Sequence, residues 1–116
     1  MASKLYNLSH LQEISGGKKE FEKDIIETFL KQYPKIIEKM REFFNDKNWD
    51  QLSEIAHKFK STATLLGINK IYEKDLELEK EAKKKNNLDD ILSLIDSIKE
   101  LSKEAGEQLK LKLENY

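Results

Sequence analysis

Residues 18–44 read KKEFEKDIIETFLKQYPKIIEKMREFF, and the apolar positions in this stretch recur every three or four residues. That spacing places them on one face of an α-helix, which completes a turn every ~3.6 residues. The apolar face comprises Phe21, Ile25, Ile26, Phe29, Leu30, Tyr33, Ile37, Met40 and Phe44. Because a proline removes one helical hydrogen bond, Pro34 predicts a bend near residues 32–34. The apolar face continues in phase beyond the proline, so the stretch predicts one long amphipathic helix.

Another helix is predicted after a turn at residues 45–48. Asn48 with Gln51 three residues later has the spacing of a capping box, in which the first side chain accepts a hydrogen bond from the first helical turn. Gly67 suits the carboxyl end of this helix, because glycine readily adopts the left-handed conformation found there. The residues expected to face the core are Leu52, Ile55, Ala56, Phe59, Ala63 and Leu66.

Two further helices follow. The first covers residues 69–85, and the lysines at 83–85 complement the negative end of its dipole. Asn86 and Asn87 form the next turn. The last helix then begins with acidic residues at 89–90, which again carry the favourable sign for a helix start. Its predicted apolar face comprises Leu88, Ile91, Leu92, Ile95, Ile98, Leu101 and Ala105.

These segments predict an all-α fold, an antiparallel four-helix bundle with a short extra N-terminal helix. The extra helix covers residues 9–14 and ends at Gly16 and Gly17. Four glycines and one proline in 116 residues are too few for the many turns of an all-β chain. Short loops between long helices favour neighbours that pack in sequence order. Neither a repeat nor a long linker divides the sequence, so we expect a single domain over residues 1–116.

The composition argues against several classes of function. The 21 basic and 22 acidic side chains nearly cancel, so the chain lacks the basic field expected of a nucleic-acid-binding or membrane-surface protein. Without cysteine it can form neither a disulfide nor a thiolate zinc site. No apolar run approaches the ~20 residues that span a bilayer, and the first residues lack the apolar core of a signal peptide. We therefore expect a cytoplasmic protein.

His57 is the residue with the clearest chemical potential. On a helical wheel that starts at Leu52, the apolar residues fall within about 60° and His57 near about 140°, which predicts a solvent-exposed imidazole. With an unperturbed pKa of ~6.5, a neutral imidazole has a lone pair that can attack phosphorus. Lys60, one turn along, could pair with the phosphoryl oxygens, and Ser61 and Thr64 could add hydroxyl donors. From the wheel alone, an idle surface histidine is the default interpretation, because an outer helix face is usually polar.

The stretch AHKFKSTATLLG at residues 56–67 resembles the signature of histidine-containing phosphotransfer (HPt) domains, roughly Ala-His-x-Leu-Lys-Gly-Ser-x-x-x-Leu-Gly. The positions that match in spacing are His57, Lys60, Leu66 and Gly67, with Thr62 at the small hydroxyl position. The leader at residues 8–17, the turn at 45–49 and the pair Leu78-Glu79 are also similar to the family. The resemblance thus extends over nearly the whole chain.

This resemblance implies a phosphocarrier of a two-component phosphorelay rather than an enzyme with its own nucleotide site. His57 would accept a phosphoryl group from the aspartyl phosphate of a response-regulator receiver domain and pass it to a second receiver. A hybrid sensor histidine kinase would be a further partner, and Lys60 would stabilise the phosphate charge. In that scheme Mg²⁺ belongs to the receiver, so this chain would bind no cofactor or metal. We expect a self-contained bundle to be a monomer.

The family's docking mode implies a receiver-facing surface around the histidine. Its expected members are Leu11, Ile14, Phe21, Ile25, Lys58 and Leu65, of which Leu65, at about 220° on the wheel, should be exposed. A competing interpretation places Leu11, Ile14, Phe21 and Ile25 in the core. Ser61 stands where the family usually has glycine, which alters the surface that a receiver approaches. Asp75 falls where the family often has a small apolar residue.

Three other functions are compatible with a helical bundle to different degrees. A docking module could bind receivers without transferring phosphate, in which case His57 would be dispensable for binding. A metal-dependent bundle hydrolase would need repeated Glu and Glu-x-x-His ligands, which the sequence lacks. A histidine kinase dimerisation domain also exposes a histidine on a helix, but the order of turns differs and no ATP-binding domain is present.

Overall fold

The computed structural model describes residues 3–85 and 87–116 of the chain. Within these ranges the secondary structure is entirely helical, which confirms the predicted all-α fold. The helices are α1 (Ser9–Ser15), α2 (Lys19–Asn45), α3 (Trp49–Leu65), α4 (Asn69–Lys84) and α5 (Leu88–Glu114). The predicted turn residue Asn86 lies outside the described residues, whereas Asn87 immediately precedes α5.

The long helix α2 runs without interruption through Pro34. Glu20 and Glu22 lie in its first turn, where negative charge is favoured by the helix dipole. Its buried apolar side chains are Ile26, Phe29, Ile37 and Met40, all members of the predicted apolar face. The continuity of that face explains why the helix persists through the proline: burial on both sides of Pro34 compensates for the missing hydrogen bond.

Local signals in the sequence set the ends of the shorter helices. The side chain of Asn48 accepts a hydrogen bond from the backbone N–H of Gln51 at 3.4 Å, as the predicted cap requires. Gly16 ends α1 in the left-handed region with φ of 62°. Gly67 follows α3 with φ of 63°, and a Cβ atom added there would lie 2.2 Å from the backbone oxygen of Asn7. Position 67 requires both a positive φ and the absence of a Cβ atom, and only glycine meets both requirements.

Four long helices enclose the core, and α1 packs against α2. In this arrangement α2 contacts α3 and α5, and α4 contacts the same two helices. The largest fully buried side chains are Leu11, Ile26, Met40, Leu52, Phe59, Leu66, Ile68, Ile71, Leu78, Ile91, Ile95 and Ile98. None of the described helices is long and apolar enough to cross a membrane.

The predicted apolar face of α5 is wrong at two positions. Leu88 and Leu92 are exposed, whereas Leu94 and Leu109 are buried. Leu88 is the first residue of the helix, at the end of the bundle. Leu92 follows the buried Ile91 and is therefore rotated about 100° around the helix, which turns its side chain away from the core.

Polar contacts link the two ends of α2 to α5 and to the residues that follow it. Arg41, near the end of α2, bonds to Asp96 in the first half of α5. Tyr116, the last residue, donates its hydroxyl proton to Glu22 in the first turn of α2. The hydroxyl of Ser15 at the end of α1 donates to the same carboxylate. The hydrogen bonds from Ser15 and Tyr116 hold the pKa of Glu22 below its ordinary value, so this carboxylate stays charged at the junction of three segments.

Candidate functional site

His57 lies in the middle of α3 with its side chain 60 % exposed. This confirms the orientation that the helical wheel predicts, since its neighbours Ala56 and Phe59 are buried on the opposite side. The ring does not stand alone, however. Its Nδ1 atom lies 2.9 Å from Oε2 of Glu79 on α4, so the histidine is held by a side chain from the adjacent helix.

Glu79 is the centre of a polar cluster between α3 and α4. Its side chain is only 12 % exposed, and its other oxygen, Oε1, accepts a hydrogen bond from Nζ of Lys60 at 2.9 Å. Nζ of Lys83 lies 3.8 Å from Oε2. Burial alone would raise the pKa of Glu79, but the hydrogen bonds and charges of Lys60 and His57 outweigh that effect and hold the pKa below its ordinary value. The carboxylate is therefore ionised at neutral pH.

An ionised carboxylate determines the tautomer of the histidine. A carboxylate has only acceptor positions, so a short contact with Nδ1 requires the proton to reside on Nδ1. In the neutral imidazole, the lone pair then lies on Nε2. Among the residues that the structure describes, none makes a hydrogen bond to Nε2. An exposed nitrogen lone pair thus lies on a ring that is oriented by a carboxylate, with a cation nearby, an arrangement that suits nucleophilic attack.

Lys60, one turn after His57 on α3, extends to Glu79 on α4. Its side chain is largely buried, and in the unphosphorylated chain it pairs with Glu79 rather than extending freely beside the histidine. Ser61 and Thr64 are both exposed on the same side of α3. The hydroxyl of Thr64 donates to the carbonyl oxygen of Lys60 at 3.0 Å, a common hydrogen bond within a helix.

A family model for the Hpt domain matches residues 24–115 of the 116-residue chain. The chain belongs to the Hpt domain family. Comparison with curated proteins gave no match, and comparison with solved structures gave none either. The matched range contains all of α3 and α4, and hence His57, Lys60 and Glu79. Hpt domains are phosphocarriers of phosphorelays, so the family match gives the chain a phosphorelay role in general.

The expected docking residues of this Hpt domain divide into exposed and buried groups. Leu11 is 0 % exposed, so it cannot contact a partner directly; it belongs to the core, as the competing interpretation holds. Ile14 on the same helix is 54 % exposed, and Phe21 is also exposed. Ile25 is half-buried. The helix α1 packs against α2 with Leu11 in the interface, which leaves Ile14 on its outer side.

Two of the expected docking residues, Lys58 and Leu65, lie on α3. Lys58 is exposed, and its Nζ atom lies 3.4 Å from Glu54, one turn earlier. Leu65 is half-buried and packs against the core, which corrects the expectation that it is exposed. As the last residue of α3, it lies beside the turn that leads to α4, so the wheel of an isolated helix does not describe its surroundings.

Asp75 is a buried carboxyl group behind the site. It lies on α4 one turn before Glu79, is 0 % exposed, and neither of its oxygens has a hydrogen-bond partner among the described residues. Burial raises its pKa to about 8, against the opposing charge of Lys60. Asp75 therefore carries a proton at neutral pH, because an uncharged carboxyl group is far less costly to bury than a carboxylate.

Sequence reasoning did not predict that Glu79 contacts His57 or that Lys83 contacts Glu79. The pair Leu78-Glu79 is similar to the family, but Glu79 lies 22 residues after His57, so the sequence alone does not connect the two. The i, i+4 spacing of Glu79 and Lys83 does indicate that these two side chains pair on one face of α4. Only the packing of α3 on α4 brings this pair to the histidine.

Proposed function

We propose that this Hpt domain carries a phosphoryl group on Nε2 of His57 between two receiver domains. The observation that carries the proposal is the 2.9 Å contact between Nδ1 of His57 and the carboxylate of Glu79. It keeps the proton on Nδ1 and leaves the lone pair on the exposed Nε2. The family match supports a phosphorelay role in general. The contacts of His57 support the specific proposal that Nε2 is the phosphorylated atom.

In the forward step, the lone pair of Nε2 attacks the phosphorus atom of a receiver's aspartyl phosphate. A nitrogen–phosphorus bond forms while the bond from phosphorus to the aspartate oxygen breaks, and its electron pair leaves with the aspartate carboxylate. Nδ1 keeps its proton throughout, so the phosphorylated ring carries a positive charge. Glu79, 2.9 Å from Nδ1, stabilises that charge as it forms. Neither a proton acceptor nor a redox partner is required.

The reverse step delivers the group to a second receiver. The carboxylate of the acceptor aspartate attacks the phosphorus atom, the nitrogen–phosphorus bond breaks, and the electron pair returns to Nε2. The Mg²⁺ that such a transfer uses is proposed to be held by the receiver. Within the described residues, no group of three or more His, Asp or Glu side chains is placed to hold a metal ion.

Lys60 is proposed to stabilise the phosphoryl group. Its ammonium already lies 2.9 Å from Glu79, which in turn contacts His57, so a small side-chain movement brings it to the phosphoryl oxygens. Ser61 and Thr64 are exposed on α3 and are proposed to donate hydroxyl protons to the bound group or to the receiver. Ile14, Phe21, Ile25, Lys58 and Leu65 remain the proposed docking residues.

The finer features of the architecture also belong to the proposal. We infer an antiparallel order of the four long helices, one domain over residues 1–116 and a monomer. The contacts of Arg41 with Asp96 and of Tyr116 with Glu22 support opposite directions for α2 and α5. The proposed partners are response-regulator receivers and a hybrid sensor histidine kinase in the cytoplasm.

One observation favours a second candidate, a module that docks on receivers without transfer. Ser61 is exposed four residues after His57, where the family usually has glycine. Its side chain adds a methylene and a hydroxyl to the surface that a receiver must approach closely. If approach is blocked, binding persists while the phosphoryl group stays on the receiver.

The two candidates differ in a labelling experiment. The purified chain is incubated with a receiver carrying a labelled phosphoryl group, and label on the chain is followed at acid and alkaline pH. We expect label that survives base, is lost in acid and is absent from His57→Gln. His10→Gln is the matched control, because His10 is the other histidine and is also exposed. A receiver that binds but leaves no label would establish the docking module instead.

A further inference from the structure

Lys83 contributes a second positive charge beside the histidine. It lies in the last turn of α4, four residues after Glu79, with its side chain 69 % exposed. Its Nζ atom is 3.8 Å from Oε2 of Glu79, the same oxygen that contacts Nδ1 of His57. Lys60 contacts the other oxygen, Oε1. Two ammonium groups and one imidazole thus converge on a single carboxylate.

Lys83 also lines the open cleft beside the histidine. The cleft has a volume of about 280 Å³ and is lined by Asp50, Ser53, Glu54, His57, Glu79 and Lys83. Among these described lining residues, Lys83 is the permanent cation, whereas Asp50, Glu54 and Glu79 are acidic. A phosphoryl group placed on the ring of His57 would add negative charge close to these carboxylates, and Lys83 is placed to offset that repulsion.

The charges favour a transfer of Lys83 from Glu79 to the phosphoryl group. Glu79 has a single negative charge, which Lys60 and the imidazole Nδ1–H already engage at 2.9 Å each. The contact of Lys83 is longer and exposed, so little free energy is lost when it breaks. A phosphoryl group carries about −1.5 to −2 charges near pH 7 and presents three acceptor oxygens, so it competes well for an ammonium group.

We propose that Lys83 is a second phosphoryl-binding residue, which leaves Glu79 and pairs with the phosphoryl oxygens once His57 is phosphorylated. This inference rests on the proposed function. Lys60, largely buried, and Lys83, exposed, then flank the group from α3 and α4 respectively. Lys83 could instead pair with an acidic surface of the receiver. In that case, replacing Lys83 would not change the titration of the isolated phosphorylated chain.

The test measures the ionisation of the phosphoryl group without any partner protein. The full chain is phosphorylated on His57, either by a receiver that is then removed or by phosphoramidate, and the second pKa of the phosphoryl group is read from a ³¹P NMR titration. A neighbouring ammonium stabilises the dianion and lowers this pKa. Lys83→Gln is expected to raise it by about half a unit, the size of a Coulomb interaction over about 5 Å in water.

Lys84→Gln is the matched control. Lys84 is the next residue, is 62 % exposed and pairs with Glu81 at 3.5 Å rather than with Glu79. Both lysines lie in the last turn of α4, so either substitution removes the same favourable interaction with the helix dipole. We expect Lys84→Gln to titrate like the unmodified sequence.

Each outcome distinguishes this inference from the proposed function. If Lys83→Gln and Lys84→Gln titrate identically, Lys83 does not bind the phosphoryl group and the inference is overturned. A loss of receiver-dependent transfer in Lys83→Gln, with an unchanged titration, would assign Lys83 to docking instead. If the unsubstituted chain cannot be phosphorylated on His57 at all, the proposed function itself fails.

Discussion

Nδ1 of His57 on α3 and Oε2 of Glu79 on α4 lie 2.9 Å apart. The contact joins an exposed imidazole to a nearly buried carboxylate. Burial raises the pKa of this carboxylate, but the hydrogen bonds from Lys60 and His57 outweigh burial and hold the pKa below its ordinary value. The contact assigns the proton to Nδ1 and places a compensating charge next to the ring. The orientation of the histidine ring therefore depends on two helices, and so does the reactivity that we propose for it.

Glu79→Gln is expected to slow phosphotransfer from a receiver by about 10- to 100-fold, the usual cost of losing an orienting partner of a reactive histidine. A neutral amide does not stabilise the positive phosphorylated ring, and its NH₂ group can donate to Nδ1 and favour the wrong tautomer. Rapid-quench measurement of label transfer gives the rate.

Glu81→Gln is the control for that substitution. Glu81 is two residues further along α4 and accepts from Lys84 at 3.5 Å, so its loss removes a carboxylate of the same helix without touching the site. We expect its transfer rate to match that of the unsubstituted chain. Equal rates for Glu79→Gln and Glu81→Gln would contradict the orienting role of Glu79.

Asp75 predicts an unusual dependence of stability on pH. Its pKa rises from 3.8 to about 8 on folding, because burial disfavours the carboxylate. Between these values the folded chain keeps a proton that the unfolded chain has lost. The contribution of Asp75 to the free energy of unfolding should therefore fall with rising pH, by at most about 1.4 kcal/mol per unit, and level off above about pH 8.

The contribution of Asp75 is isolated by comparison with Asp75→Asn. The amide cannot ionise and has nearly the same shape, while every other titrating group is unchanged. Urea denaturation of both proteins at several pH values should give a difference in the free energy of unfolding that grows in favour of Asp75→Asn between about pH 4 and about pH 8. Parallel curves for the two proteins would mean that Asp75 ionises normally.

Gly67 and Gly16 provide a test of the close approach between Asn7 and the turn after α3. Both have φ near 62°, but a Cβ atom at Gly67 would collide with the backbone of Asn7, whereas one at Gly16 meets nothing within 4 Å. We expect Gly16→Ala to cost about 1 kcal/mol from strain alone. Gly67→Ala should cost more than about 2 kcal/mol. Similar losses in chemical denaturation would exclude the close approach.

Substitutions of Ile14 and Leu11 distinguish an effect on receiver docking from an effect on folding, because Ile14 is exposed and Leu11 is buried. Leu11→Ala is expected to destabilise the chain by about 2–5 kcal/mol, because its side chain is fully buried. Ile14→Ala should leave stability nearly unchanged and weaken receiver binding by about five- to tenfold, the loss of one apolar interface contact. Calorimetric titration with a receiver measures the binding.

Leu88→Ala is the control for an exposed apolar side chain outside the docking surface. Leu88 and Ile14 are both exposed. Leu88 is the first residue of α5, whereas Ile14 lies on α1, which packs against α2. Substitution of Leu88 should change neither stability nor receiver affinity appreciably. If Ile14→Ala binds a receiver as tightly as Leu88→Ala does, α1 is not part of the docking surface.

The helices and their ends could be predicted from local patterns. The apolar spacing of residues 18–44 gives α2, Asn48 caps α3 as expected, and Gly16 and Gly67 end helices in the left-handed region. The exposure of His57 also follows from its angle on the helix. These features depend on nearby residues alone, which is why the sequence reveals them.

Features that depend on packing between helices could not be read in the same way. Asp75 lies between Ile71 and Leu78 on the buried face of α4. Its position on the helix therefore buries it although its side chain is polar. Leu65 is exposed on an isolated wheel but packs against the core at the end of α3. Glu79 reaches His57 only because α3 and α4 pack together, and no spacing along the chain encodes that contact.

The most direct test of the central claim identifies the phosphorylated nitrogen. The chain has two histidines, so ¹⁵N labelling of histidine gives few signals after phosphorylation by a receiver. We expect phosphorus–nitrogen coupling at Nε2 of His57, with the proton retained on Nδ1 beside Glu79. Coupling at Nδ1 of His57, coupling at His10, or an absence of any phosphorus–nitrogen bond would contradict the account.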